Sequence, residues 1–196
     1  MAPPRKHNTD VILDAARTLV LRDGPRAASV AAIAEASGAP VGTLYHRFGN
    51  RDGVLSATWL RALERFQSGV LAAADVDDPI AAAVVITSAA LAFGREFPDD
   101  ARLMLNLRLG DLLDNGPDTK FRERRAEMNA PLIALLTRIA HDIYGATGER
   151  EIDAVTRAVV DLPYSALRRH AHAQELPEWL EADLTAATRA LLSPHD

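Results

Sequence analysis

Apolar residues in this chain recur at intervals of three and four almost from end to end, and no stretch alternates apolar with polar for more than a few positions. That spacing admits helices and excludes a sheet. Ile12, Ala16, Leu19 and Val20 form one face of a first helix, which Gly24 and Pro25 close. Ser29 is placed to cap a short second helix with Val30, Ile33 and Ala34 inward, and Gly38 ends it. Pro40 opens a third short helix with Leu44 and Phe48 on one face and Val41, Tyr45 and His46 on the others; Gly49 and Asn50 break it.

A long fourth helix from Arg51 to about Ala74 carries Leu55, Trp59, Leu63, Phe66, Val70 and Leu71 as its seam. The polar turn from Asp75 to Pro79 is followed by an Ala-rich helix to Phe97. Its uncharged run from Pro79 to Gly94 is shorter than the roughly 20 apolar residues of a membrane span, so a buried core helix is expected. Pro98 stops it, Asp99 or Asp100 is placed to cap the next helix through about Leu113, and a long helix runs from Asp118 to Tyr144. A final pair, Glu149 to about Ala173 and Pro177 to about Leu192, is joined by so short a connection that antiparallel packing follows. The expected architecture is all-α.

Composition removes whole classes of chemistry. With no cysteine among 196 residues, disulfides, thiolate nucleophiles and Cys-based zinc or iron–sulfur sites are excluded. The six histidines, His7, His46, His141, His170, His172 and His195, form no HExxH, and neither GxSxG nor a P-loop occurs, so no enzyme, metal or cofactor is expected. His170 and His172, two apart, fall on different helix faces. Arg5 and Lys6 precede no apolar run, so the start does not read as a secretory signal, and cytoplasmic residence with no membrane is expected. The net charge of -5 is unevenly spread: residues 1–51 hold seven Lys and Arg against four Asp and Glu, leaving fifteen against twenty-three in the rest. A small basic head sits on an acidic body, though its excess of three charges is modest.

The second and third helices, separated by a few residues including Gly38, have the spacing of a helix-turn-helix. Around them stand Ile12-Leu13-Asp14-Ala15-Ala16, Asp23-Gly24, Ile33-Ala34-Glu35-Ala36-Ser37-Gly38, Gly42-Thr43-Leu44-Tyr45-His46-Arg47-Phe48 and Asn50-Arg51-Asp52. This string resembles the amino-terminal DNA-binding domain of the TetR family of transcriptional regulators over about Thr9 to Trp59. The resemblance implies a helix-turn-helix domain over residues 1–51, a connecting fourth helix over about 51–74, and a ligand-binding and dimerisation domain over 52–196. Two departures stand out. Pro40 replaces the usual hydroxyl cap of the recognition helix, and Arg51 replaces the usual Lys at the start of helix four.

Double-stranded DNA with a palindromic operator is the implied partner. Ser29, Thr43, Tyr45, His46 and Arg51 are expected at DNA phosphates, Arg51 as an unpaired charge near the strand, while Gly42 lets the protein backbone approach the duplex closely. Val41 foremost, then Pro40 and His46, are placed for base edges, Val41 against a thymine methyl. A second copy would double the small footprint. Val155, Val159, Leu162 and Leu167, with Leu180, Leu184, Ala187 and Leu191, offer apolar faces for a four-helix homodimer interface. A small-molecule effector, largely hydrophobic or aromatic, is expected in a cavity walled by Phe66, Val70, Ile86, Phe93, Met104, Leu105, Phe121, Met128 and Leu132, with Asn106, Arg108 and Asn129 as polar anchors. The function implied is a repressor released by that effector. Alternatives are control by a protein partner, activation of transcription, or a helical carrier or enzyme that never touches DNA.

Overall fold

The computed structural model describes residues 8–171 and 175–193, so Arg5, Lys6, His7, His172 and His195 lie outside the described residues. Among these there are helices and turns and no strand. α1 (Thr9–Asp23) starts at Asn8, whose side chain accepts the Asp10 amide at 3.1 Å, and it buries Ile12, Leu13, Ala16, Leu19 and Val20. α2 (Val30–Ser37) is capped by Ser29, whose Oγ accepts the Ala32 N–H at 3.1 Å. Gly38 closes it in the left-handed region at φ 68, a conformation that costs a side chain with Cβ but not glycine. α3 (Val41–Phe48) and α4 (Arg51–Val70) follow, and a 3-10 turn, Leu71–Asp75, ends the fourth helix.

The body is a bundle around α5 (Pro79–Glu96). By length and mean hydropathy, 1.3 over 18 residues, α5 is apolar enough to cross a membrane. Here it is instead the central helix, packed against α4, α8 (Thr119–Tyr144), α10 (Leu162–His170) and α11 (Trp179–Leu192). Its Thr87 hydroxyl lies 2.9 Å from that of Thr188 on α11, which in turn donates to the carbonyl of Ala158 at 3.3 Å. Between α9 (Glu149–Thr156) and α10, residues Arg157–Asp161 widen into a π-helical turn. Pro163 explains the widening: it has no N–H to return to the carbonyl four residues earlier, and the Leu162 N–H reaches back to Arg157 instead.

Two expectations fail between residues 97 and 113. Neither Asp99 nor Asp100 caps the helix: Phe97 occupies the cap of α6 (Pro98–Asn106) without a side-chain bond, and Asp100 is wholly buried. The helix also stops at Asn106. Leu107 and Arg108 are extended, and a single turn, α7 (Leu109–Leu112), follows. The break lets Leu103, Leu112 and Leu113 enter the same apolar cluster as Ile12, Val20, Ile33, Leu44 and Leu55. Each buried leucine contributes about 1.5 to 3 kcal/mol, so the core of the amino-terminal head is partly built by residues beyond position 100. A boundary at residue 51 does not divide that core.

The apolar faces expected at an interface between copies are mostly spent inside the chain. Val155, Val159, Leu167, Leu180 and Leu184 are buried in the bundle, where the π turn and α11 close over α5. Leu162 and Ala187 are half-buried, and Leu191 is 50% exposed. Tyr164 and Trp179, at 42% and 58%, are the large rings left outward on the same helices.

Candidate nucleic-acid interface and effector cavity

α3 is two turns long and held by one face. Leu44 is 1% exposed in the head's core and Phe48 packs against that core, which turns Val41, Gly42, Tyr45 and His46 outward. Val41 is 43% exposed and Tyr45 53%, large apolar surfaces that a monomeric fold has no reason to display side by side. Thr43 is half-buried at the edge of this face, and Pro40 and Ser29 are exposed at the starts of α3 and α2. A Cβ added to Gly42 would meet nothing within 4 Å, so the fold does not require glycine there; its smallness is available to something outside the chain. Pro40 makes no side-chain cap, as its chemistry dictates, and its carbonyl accepts the Thr43 N–H at 2.8 Å.

The angle between α3 and α4 is set by a tight junction. Asn50 caps α4 by accepting the Gly53 N–H at 2.8 Å, and a Cβ on Gly53 would sit 1.9 Å from the Phe48 carbonyl oxygen. Only glycine fits. Arg47, absent from the residues expected at DNA, is exposed on α3 and donates to the Thr9 hydroxyl at 3.2 Å, so it borders the same face at the start of α1.

Arg51 is not the outward, unpaired charge expected. Its guanidinium keeps 15% exposure and is turned inward: it donates to the Pro25 carbonyl at 2.5 Å and the Leu112 carbonyl at 3.4 Å, and pairs with Asp52 at 3.0 Å and Asp114 at 3.1 Å. The planar fork that distinguishes Arg from Lys makes this reach possible. Asp52 completes the clamp by accepting the backbone N–H groups of Asp114 and Asn115, each at 3.0 Å. Burial pushes the Asp52 carboxyl up, but those two amides, the Asn115 side chain and Arg51 together hold it below its ordinary value.

Behind the head, a cavity of about 250 Å³ lies between α4, α5, α6, the π turn and α10. Four of the expected walls line it, Phe66, Phe93, Met104 and Leu105, together with Trp59, Ala90, Ala101, Val159, Val160, Pro163, Tyr164 and Leu167. Val159 and Leu167 are residues expected at the dimer face; apolar spacing on a helix cannot tell one buried side from another. The other expected walls lie elsewhere. Val70 and Ile86 are packed in the lower core, Leu132 beside them, and Phe121 meets Trp59 on the α8 side with ring centroids 5.6 Å apart and planes tilted by 59°. Met128 is half-buried on α8, Asn129 accepts from Gln67 at 2.8 Å, and Asn106 and Arg108 are not among the lining residues.

α6 connects the two sites. Ala101, Met104 and Leu105 face the cavity, Leu103 enters the head's core, and Asp100 receives Arg17 of α1 at 2.5 Å and Arg65 of α4 at 2.6 Å. Arg61 ties α4 to α1 a second time, through Asp10 at 3.0 Å and Asp14 at 2.7 Å. α6 is thus bonded to both helices that flank the helix-turn-helix.

Residues 12–58 match the family model described as bacterial regulatory proteins, tetR family. Comparison with curated proteins returns no match. Among solved structures, the fatty acid degradation regulator FadR of Bacillus halodurans aligns with a TM-score of 0.72 at 17% identity, covering 96% of this chain and 100% of that one. The TetR family transcriptional regulator PfmR of Thermus thermophilus aligns at 0.63 and 22% identity, over 94% and 99%. FadR of Bacillus subtilis, solved in complex with stearoyl-CoA, aligns at 0.70 and 16% identity, over 96% and 100%. The resemblance in the amino-terminal sequence and the fold of the whole chain thus agree.

Proposed function

We propose that this chain, whose amino-terminal unit is that of the tetR family, is a DNA-binding transcriptional regulator that represses as a homodimer and leaves a palindromic operator when a small hydrophobic molecule fills the cavity behind α6. The observation that carries the reading is the face of α3. Val41, Gly42, Tyr45 and His46 point outward from a helix anchored by Leu44, the arrangement a major groove requires. Tyr45, Thr43 and Ser29 suit the backbone, Val41 a thymine methyl, and Pro40 and His46 the flanking edges. Arg47 joins this set, and Arg51 acts indirectly, by fixing α4 against residues 112–115.

One α3 covers too few base pairs for a selective site, so two copies on a two-fold axis are needed, with recognition helices about 34 to 36 Å apart. Tyr164, Trp179, Leu191 and the half-buried Leu162 and Ala187 supply outward surface on the helices available for pairing. Effector binding against Ala101, Met104 and Leu105 displaces α6, and Asp100 hands the displacement to Arg17 and Arg65, which changes that separation. Action on operator DNA implies a cytoplasmic protein. Selection of duplexes from a random pool by the purified chain tests the proposal. Enrichment of a palindrome with half-sites one helical turn apart is expected, and a pool that stays random at low salt defeats the reading.

A further inference from the structure

The chain is 5% aromatic, with two Trp, three Tyr and five Phe, yet four of those ten rings, Trp59, Phe66, Phe93 and Tyr164, line one cavity. Phe66 and Phe93 meet edge to face at 5.5 Å and 72°, the geometry in which a ring offers a further ring both an edge and a face. No charged side chain is among the lining residues described. The lining residues' polar tips are the Trp59 indole N–H and the Tyr164 hydroxyl, which donates to the Leu105 carbonyl at 3.4 Å, and charged groups line an adjoining cavity that shares Ala101, Leu105 and Leu167. There Arg95 is paired with Glu181 at 2.5 Å, and Arg102 with Asp99 at 3.3 Å and the Ala171 carbonyl at 2.8 Å. An anionic head group would have to compete for cations already neutralised, and a cation would meet no carboxylate on the wall.

Size narrows the class further. An apolar cavity of about 150 Å³ holds one benzene, so about 250 Å³ takes roughly ten non-hydrogen atoms, whereas a C18 acyl chain needs about twice that and would have to run on into the adjoining cavity of about 320 Å³, whose lining carries Arg95, Arg102, His170 and Glu175. We infer that the cavity takes an uncharged, flat aromatic molecule of one or two rings, in preference to a fatty-acyl ligand. The inference rests on reading the cavity as the effector site.

Calorimetric titration of the full chain with 1-naphthol, 1-octanol, trimethylphenylammonium and stearoyl-CoA tests it without DNA. The expected result is a 1-naphthol Kd at least tenfold below each of the others. Phe66→Leu and Phe93→Leu should each weaken 1-naphthol at least fivefold while changing 1-octanol less than twofold, which a merely structural role of the rings would not do. The ranking on the unsubstituted protein depends on no variant folding. Equal or tighter binding of 1-octanol, the ammonium or stearoyl-CoA overturns the inference, as does no detectable 1-naphthol binding. A chain that binds 1-naphthol but keeps hold of its selected operator supports the ligand class and refutes the effector role, so the two failures are distinct.

Discussion

Asp100→Asn removes the charge on which two helices of the amino-terminal head lean. The carboxylate is fully buried, while the Arg17 and Arg65 side chains keep 15% and 29% of their surface. Deleting one partner of a buried ion pair costs about 3 to 5 kcal/mol. Both guanidinium groups reach some water and Arg17 also has Asp14 at 3.3 Å, so the loss here is smaller, about 2 to 3 kcal/mol. For a chain of this length that lowers the thermal midpoint by about 4 to 12 °C, measured at one fixed protomer concentration. A double-mutant cycle with Arg65→Gln should show a coupling of at least ~1 kcal/mol. If α6 signals through this carboxylate, the effector's influence on operator Kd, typically 5- to 150-fold in coupled systems, falls towards one in the variant. A midpoint drop under about 2 °C, or an effector response of full size, would refute the reasoning.

Arg51→Ala should weaken operator binding yet leave the slope of log K against log salt unchanged, because the guanidinium is committed to Pro25, Leu112 and Asp114; a slope flatter by about 1 restores a phosphate contact. Tyr45→Phe should leave stability within about 0.5 kcal/mol and weaken the operator complex, whereas Val41→Ala should relax preference at a single base pair in repeated selection. Equal Kd values, or an unaltered selected site, would count against these contacts. The Asp52 carboxyl is held low when folded, so its contribution is complete above about pH 4, near its unfolded value, and is lost as pH falls through the lower folded one. Asp52→Asn should therefore be less stable than the parent at pH 7, with the gap closing in acid; a gap constant from pH 7 to pH 2 argues against the clamp.

What could be read from the sequence was local. Ser29 and Gly38 bracket α2 because a hydroxyl cap and a left-handed glycine act on their own neighbours, and Leu44 faces inward because a two-turn helix has one apolar side. What could not be read depended on distant partners. Arg51 looks like a surface cation until Pro25 and Asp114 are known to surround it, and Asp100 looks like a helix cap until two arginines converge on it. The cavity walls suffered from a related ambiguity. Val159 and Leu167 belong to an apolar stripe whose period marks burial but not against what, and Pro163 discloses the π turn only once the helix is seen to continue through it.

The leucines at 103, 112 and 113 make the amino-terminal head and the helical body behind it one inheritance. A chimera that grafts residues 1–51 onto a foreign body leaves Ile12, Val20, Ile33 and Leu44 without the Val54, Leu55, Leu103, Leu112 and Leu113 that complete their core, and only a transplant that also carries α4 and residues 98–115 brings its own floor. On the proposed function, a change of operator preference that spares the core is confined to the outer face of α3, where Val41, Tyr45 and His46 are exposed.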